Sequence, residues 1–202
     1  MPSVPPLFGF FHADAPALLA SPRARIVVDD GRRFLERSTE QFDVITVDPP
    51  PPVEAAGSSL LYSREFYAVA KKRLRPDGIL QQWLPGGELD VVASVTRALT
   101  ESFPHVRVFH SLEGWGGHFL ASRRPIDIPS ASVLAARMPA SAVADMLEWG
   151  PGQTAEEQLR LMLEREVPPA SLIAFAPTAP SMSDNRPYNE YFFLRYYLGN
   201  SR

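Results

Sequence analysis

The sequence predicts an α/β protein with a helical C-terminal part, on three observations. The stretch 41–84 reads as strand, loop, helix and strand, one βαβ unit whose expected geometry is a right-handed parallel crossover. A further strand ending in acids, Arg25–Asp29, stands just before it. After it come a helix and two strands joined by a glycine-rich link, the order of an α/β sheet with an antiparallel pair at its end.

Taken in order, Met1–Pro6 resembles a linker, and Ala15–Ala20 has room for a short helix. Arg25–Asp29 is β-branched and ends in Asp29-Asp30-Gly31, and Arg32–Ser38 follows as a short helix with Phe34 and Leu35 inward. Phe42–Val47 has the length and composition of a buried strand. It stops at Asp48, because the four prolines behind it lack backbone donors and fix φ. Ser63 is an N-cap, with Glu65 in the first turn to meet the helix dipole. Phe66, Tyr67, Ala70 and Leu74 recur at helical spacing, and Lys71, Lys72, Arg73 and Arg75 crowd the helix end.

Pro76-Asp77-Gly78 reads as a turn into the strand Ile79–Leu84. After the loop Pro85-Gly86-Gly87, a helix over Glu88–Phe103 places Leu89, Val92, Val95, Leu99 and Phe103 inward. Val106–His110 and His118–Ser122 are strands joined by the wide hairpin Glu113–Gly117. Residues 130–166 are helical: Ser130–Met138, Ser141–Trp149 beyond Pro139, and a helix to Glu166 opened by the capping box Thr154/Glu157. Residues 167–183 form a Pro/Ala/Ser loop, and the aromatic run Phe192–Leu198 is strand or helix by its periodicity. The expected division is a core over 1–129 and a helical cap with an aromatic tail over 130–202.

Composition narrows the function. At 202 residues the chain has the length of one domain, and its net charge of −3 gives no reason to expect nucleic acid or an anionic membrane as partner. With no cysteine it has no disulfide, thiolate metal site or cysteine nucleophile. No apolar run approaches the ~20 residues of a membrane span, and no signal peptide is visible, so the expected location is the cytoplasm. The histidines His12, His105, His110 and His118 lack metal-ligand spacing, so no metal is expected.

Asp48 carries the chemistry. A carboxylate held at a strand's C-terminal end sits where open α/β sheets bind ligands. There it can orient an amine and take its proton, or hydrogen-bond a ribose or an adenine amino group, or simply cap a proline turn. Gly114-Trp115-Gly116-Gly117 follows no strand-to-helix turn and reads as a hairpin rather than a nucleotide loop.

Four segments together resemble the spermidine synthase family of polyamine aminopropyltransferases: 27–35, 42–48, 60–67 and 74–80, with 184–191 as a further echo. The nearest flavour is the bacterial spermidine-synthase-like group, whose members are often fused to membrane segments. The resemblance implies a Rossmann-like, methyltransferase-type fold and transfer of an aminopropyl group from decarboxylated S-adenosylmethionine to a small-molecule amine. It places Asp30 with Gly31 at the donor's adenine, counts Asp48 and Pro49 among the donor-binding residues as well, and gives Asp48 the deprotonation of the attacking amine. Tyr62, Gln82 and Trp83 would line the amine side.

The sequence also departs from the family. The second acid of the family's Asp-x-x-Asp loop is replaced by Pro51, which removes a partner for a diamine's distal ammonium, and Glu54 is the nearest substitute. The glycine loop and first strands find no match before residue 20, so the expectation is a partial fold, the C-terminal portion of such a protein. A missing central strand leaves a sheet edge to be covered, so a homo-oligomer is expected. Two other readings stand beside the first: a methyltransferase using ordinary S-adenosylmethionine, and an inactive relative serving as a dimerising or interaction module.

Overall fold

The structure, a computed structural model, describes residues 4–48, 53–150, 152–191, 194 and 197–198. The chain divides into two compact units, Met1–Ser38 and Thr39–Arg202.

The first unit holds three helices, α1 (Val4–Phe11), α2 (Ala15–Leu19) and α3 (Gly31–Arg37). Val4-Pro5-Pro6 is thus helical rather than linker, since proline is tolerated in a first turn, where the N–H has no intrahelical partner anyway. The expected strand Arg25–Asp29 is not formed. Ile26, Val27 and Val28 form no regular element and are exposed, and no described strand pairs with them. β-branched content favours a strand, but the strand itself exists only through a neighbour's hydrogen bonds.

The second unit is built on a five-stranded sheet in the order β1-β2-β4-β3-β5. β1 (Phe42–Val47) runs parallel to β2 (Leu74–Leu84) after the helix α4 (Arg64–Arg73), so the expected βαβ unit is present. The Ser63 hydroxyl accepts from the Phe66 N–H at 3.1 Å and starts α4 as its residue type requires. The expected turn at Pro76-Asp77-Gly78 lies inside β2 as an irregularity of register: Phe42 faces Leu74, and Val44 already faces Ile79. A Cβ on Gly78 would stand 2.9 Å from the Phe42 carbonyl oxygen, so the neighbouring strand leaves room for glycine alone.

β3 (His105–His110) and β4 (Gly117–Ser122) form the expected antiparallel pair, and β4 joins it to β2. Between β2 and β3 runs α5 (Leu89–Ser102), buried over most of its circumference: Val91, Ala93, Val95, Ala98 and Leu99 are each 0% exposed. Leu89, expected in the core, is exposed in its first turn, and Val92 is half-buried. α4 and α5 pack together, and the core side of β2 is Leu80, Gln82 and Leu84.

The C-terminal part carries α6 (Ala131–Arg137), α7 (Ala140–Trp149), α8 (Ala155–Leu163) and α9 (Pro169–Ala174). Thr154 caps α8 as expected, its hydroxyl accepting from the Glu157 N–H at 3.1 Å. The Glu157 carboxylate reaches back to the Gln153 N–H at 2.9 Å. The helix does not run to Glu166. Glu166–Val167 instead forms β5 on the edge of β3, where Arg107 grips the Glu166 carboxylate through two nitrogens at 2.7 and 2.6 Å. The expected 167–183 loop contains α9, which packs on α5. The small residues Ala93, Ala176 and Ala179 let the backbones approach there. The aromatic run 192–198 lies largely outside the described residues.

Candidate active site at the ends of β1 and β2

Val47 pairs with Gln82, so the carboxyl ends of β1 and β2 lie level. Asp48 follows Val47 directly and is exposed. Pro49 and Pro51 lie outside the described residues. The chain is described again at Val53, which is buried, passes Gly57 at φ +84°, and makes a 3-10 turn over Ser58–Leu61 that delivers Tyr62 to the sheet. Only glycine enters that left-handed conformation freely.

Tyr62 is 1% exposed. Burial pushes its hydroxyl pKa far up, and the carboxylates of Asp48 and Glu54 push it further, so the phenol is a fixed hydrogen-bond donor near neutrality. Its perturbation puts Asp48 and Glu54 within electrostatic reach of one hydroxyl, and that hydroxyl donates to no described residue. Glu54 is half-buried against the glycine loop after β2, where a Cβ on Gly87 would lie 3.2 Å from the Glu54 Oε1. Gly87 itself stands at φ +127°.

Alternation along β2 sends Gln82 and Trp83 to opposite faces. Gln82 is 0% exposed: its Oε1 accepts from the Tyr67 hydroxyl at 2.6 Å, and its Nε2 donates to the Leu61 carbonyl at 3.0 Å. It therefore holds the residue before Tyr62 from behind. Trp83 stands half-buried on the other face, edge-on to Trp115 with ring centres 5.1 Å apart. One residue pair along, Gln81 and the Nδ1 of His118 are 3.3 Å apart. Burial lowers the His118 pKa, opposed by the nearby carboxylates of Glu113 and Asp48, so the imidazole is kept neutral.

The segment 184–191, an isolated echo in the sequence, is tied to this site. Glu190 Oε1 accepts from the Ser59 N–H at 3.1 Å and from the Ser59 hydroxyl. Asn189, fully buried, donates to the Val53 carbonyl and, at 2.7 Å, to Ser58 Oγ. The Asp184 N–H donates to Glu65 at 3.0 Å, and the Tyr188 hydroxyl to Asp90 at 3.1 Å. The chain that follows Asp48 is thus clamped by residues more than a hundred positions away. No local pattern in the sequence announces such a clamp. Only the polar run itself hints at it.

In the N-terminal unit, Asp30 is exposed and caps α3, its Oδ1 accepting from the Arg33 N–H at 2.8 Å. Gly31 opens that helix with nothing within 4 Å of where a Cβ would be.

The spermine/spermidine synthase domain matches residues 8–112. Polyamine aminopropyltransferase 2 of Hyperthermus butylicus is 30% identical over 152 residues, covering 71% of this chain and 49% of that protein. The chain therefore spans about half the length of that relative. Among solved structures, spermidine synthase from Thermotoga maritima superposes with a TM-score of 0.56 at 18% identity, over 82% of this chain and 55% of that one. Human methyltransferase-like protein 13, in complex with SAH, gives 0.50 at 20% identity, over 69% and 68%. The fold is the Rossmann-like one of spermidine synthases and methyltransferase-like proteins.

Proposed function

The chain belongs to the spermine/spermidine synthase family, and on that premise we propose that it serves aminopropyl transfer from decarboxylated S-adenosylmethionine to a small-molecule amine. The observation that carries the reading is the exposed carboxylate of Asp48 at the end of β1, beside the buried hydroxyl of Tyr62. The donor supplies an electrophilic methylene next to a sulfonium. The amine nitrogen forms a bond to that carbon, the carbon–sulfur bond breaks with its electron pair going to sulfur, and methylthioadenosine leaves. The proton lost by the amine passes to Asp48, which orients the nitrogen before it takes the proton.

The Tyr62 hydroxyl, a fixed donor within electrostatic reach of Asp48, offers its hydrogen bond to the bound substrate. Gln82 acts behind Tyr62 through Leu61, and Trp83 with Trp115 walls the amine side. The family resemblance assigns Asp30 and Gly31 to the donor's adenine, and in the N-terminal unit Asp30 Oδ1 is engaged in capping α3. The helical segment 130–166 serves as a cap on the core.

The test is calorimetric titration with methylthioadenosine, decarboxylated S-adenosylmethionine and S-adenosylmethionine, followed by methylthioadenosine release in the presence of amines. Asp48→Asn should slow transfer by about 10²–10⁴-fold. A preference for S-adenosylmethionine would turn the reading to methyl transfer. No nucleoside binding by the folded chain would overturn it and favour an interaction module.

A further inference from the structure

A cavity of about 380 Å³ lies between the β3/β4 side of the sheet and the helices α6 and α8. Its walls are apolar, with Phe109, Leu120, Leu134, Leu159 and Leu163 among them, and Gln81 and His118 supply polar groups. A second space of about 490 Å³ adjoins it, sharing Ser111, Leu112, His118 and Met162 and adding Glu113 and Gln158. Both fall within the size of small-molecule sites, which are mostly apolar with a few placed polar groups.

His118 belongs to both spaces and pairs with Trp83 across the strands, at the end of the sheet where β1 releases Asp48. Glu113 makes the second space polar and acidic, and the first is apolar toward Leu134, Leu159 and Leu163. An ammonium at the Glu113 end meets a carboxylate. At the other end the named walls of the smaller cavity include no carboxylate, so a second ammonium would be stranded there.

We propose that this paired cavity is the acceptor subsite and that it takes a primary monoamine with an apolar body, alkyl or arylalkyl, its nitrogen at the His118 end. The proposal rests on the aminopropyl-transfer reading and specifies its substrate class. It agrees with Pro51 standing where the family carries a second acid. A neutral His118, held by Gln81, accepts or donates a hydrogen bond there without repelling the cation.

The purified chain is titrated calorimetrically with butylamine, hexylamine, phenethylamine and putrescine. Affinity should rise about three- to fourfold per added methylene from butylamine to hexylamine, and putrescine should bind more weakly than hexylamine. Leu159→Trp, which fills the cavity, should abolish the chain-length dependence while leaving methylthioadenosine affinity unchanged. Leu134→Phe is the milder second variant. A flat series, tighter putrescine binding or no amine binding overturns the proposal. A rising series in a chain that never releases methylthioadenosine would remove the transfer reading and leave the apolar-amine site standing.

Discussion

Replacing Gln82 with leucine should destabilise the fold, and adding Tyr67→Phe to that variant should restore part of the loss. Leucine is close in size to glutamine but removes both ends of its amide. It leaves the Tyr67 hydroxyl, at a fully buried residue, without its acceptor at 2.6 Å, and the Leu61 carbonyl without its donor at 3.0 Å. A stranded buried polar group costs about 1–3 kcal/mol. Leu61 is half-buried, so its carbonyl falls at the low end of that range. The single variant should thus lose about 2–4 kcal/mol.

Tyr67→Phe alone strands Gln82 Oε1 and should lose about 1–2 kcal/mol. In the double variant neither partner of that bond survives, and only Leu61 is left unpaired. The double variant should therefore be about 1–2 kcal/mol more stable than Gln82→Leu alone, the sign reversal that a coupled pair produces. Urea unfolding measures it: at equal slopes, the midpoint of the double variant should lie about 0.5–1 M above that of Gln82→Leu. A double variant less stable than Gln82→Leu would refute the assignment of these hydrogen bonds.

The clamp and the sheet edge give two more expectations. Glu190→Ala should speed amide exchange over Val53–Tyr62, and Glu190→Gln, which keeps an acceptor for Ser59, should restore it. Exchange mass spectrometry that shows no change, or a uniform one, would count against a clamp. On β5, the hydrogen bond and charge of Arg107 hold the Glu166 carboxyl below its usual 4.5. A depressed folded-state pKa means that the stability it contributes is present above the unfolded value and is lost as pH falls through the folded one. Glu166→Gln should therefore flatten the acid limb of the stability–pH curve below about 4.5, the unfolded carboxyl's value. The pair is partly exposed, so the effect should also shrink in high salt. An unchanged acid limb in the variant would assign the slope to other carboxylates.

Much of the fold was legible in the sequence because its signals are local. The apolar run 42–47 stopped by proline, the Ser63 cap and the Thr154/Glu157 pair each fix a boundary through their own backbone chemistry, whatever surrounds them. Asp48 could be placed at a strand end for the same reason. What failed were elements defined by a partner. Ile26–Val28 has strand composition without a neighbouring ladder, Glu166–Val167 is a strand only because β3 offers it an edge, and Pro76–Gly78 is absorbed into β2 because β1 holds both flanks.

The site divides along the same line. The sequence by itself determined which carboxylate ends β1 and which residues follow it. Tertiary structure alone decided that Gln82 faces inward to Tyr67 and Leu61 while Trp83 faces Trp115, and that Tyr62 shares its surroundings with Asp48 and Glu54. It alone closed Asn189 and Glu190 over Val53–Ser59. A strand end is set by the dihedral limits of a few consecutive residues. A hydrogen bond between positions 59 and 190 forms only when the sheet and the helices between them have already packed.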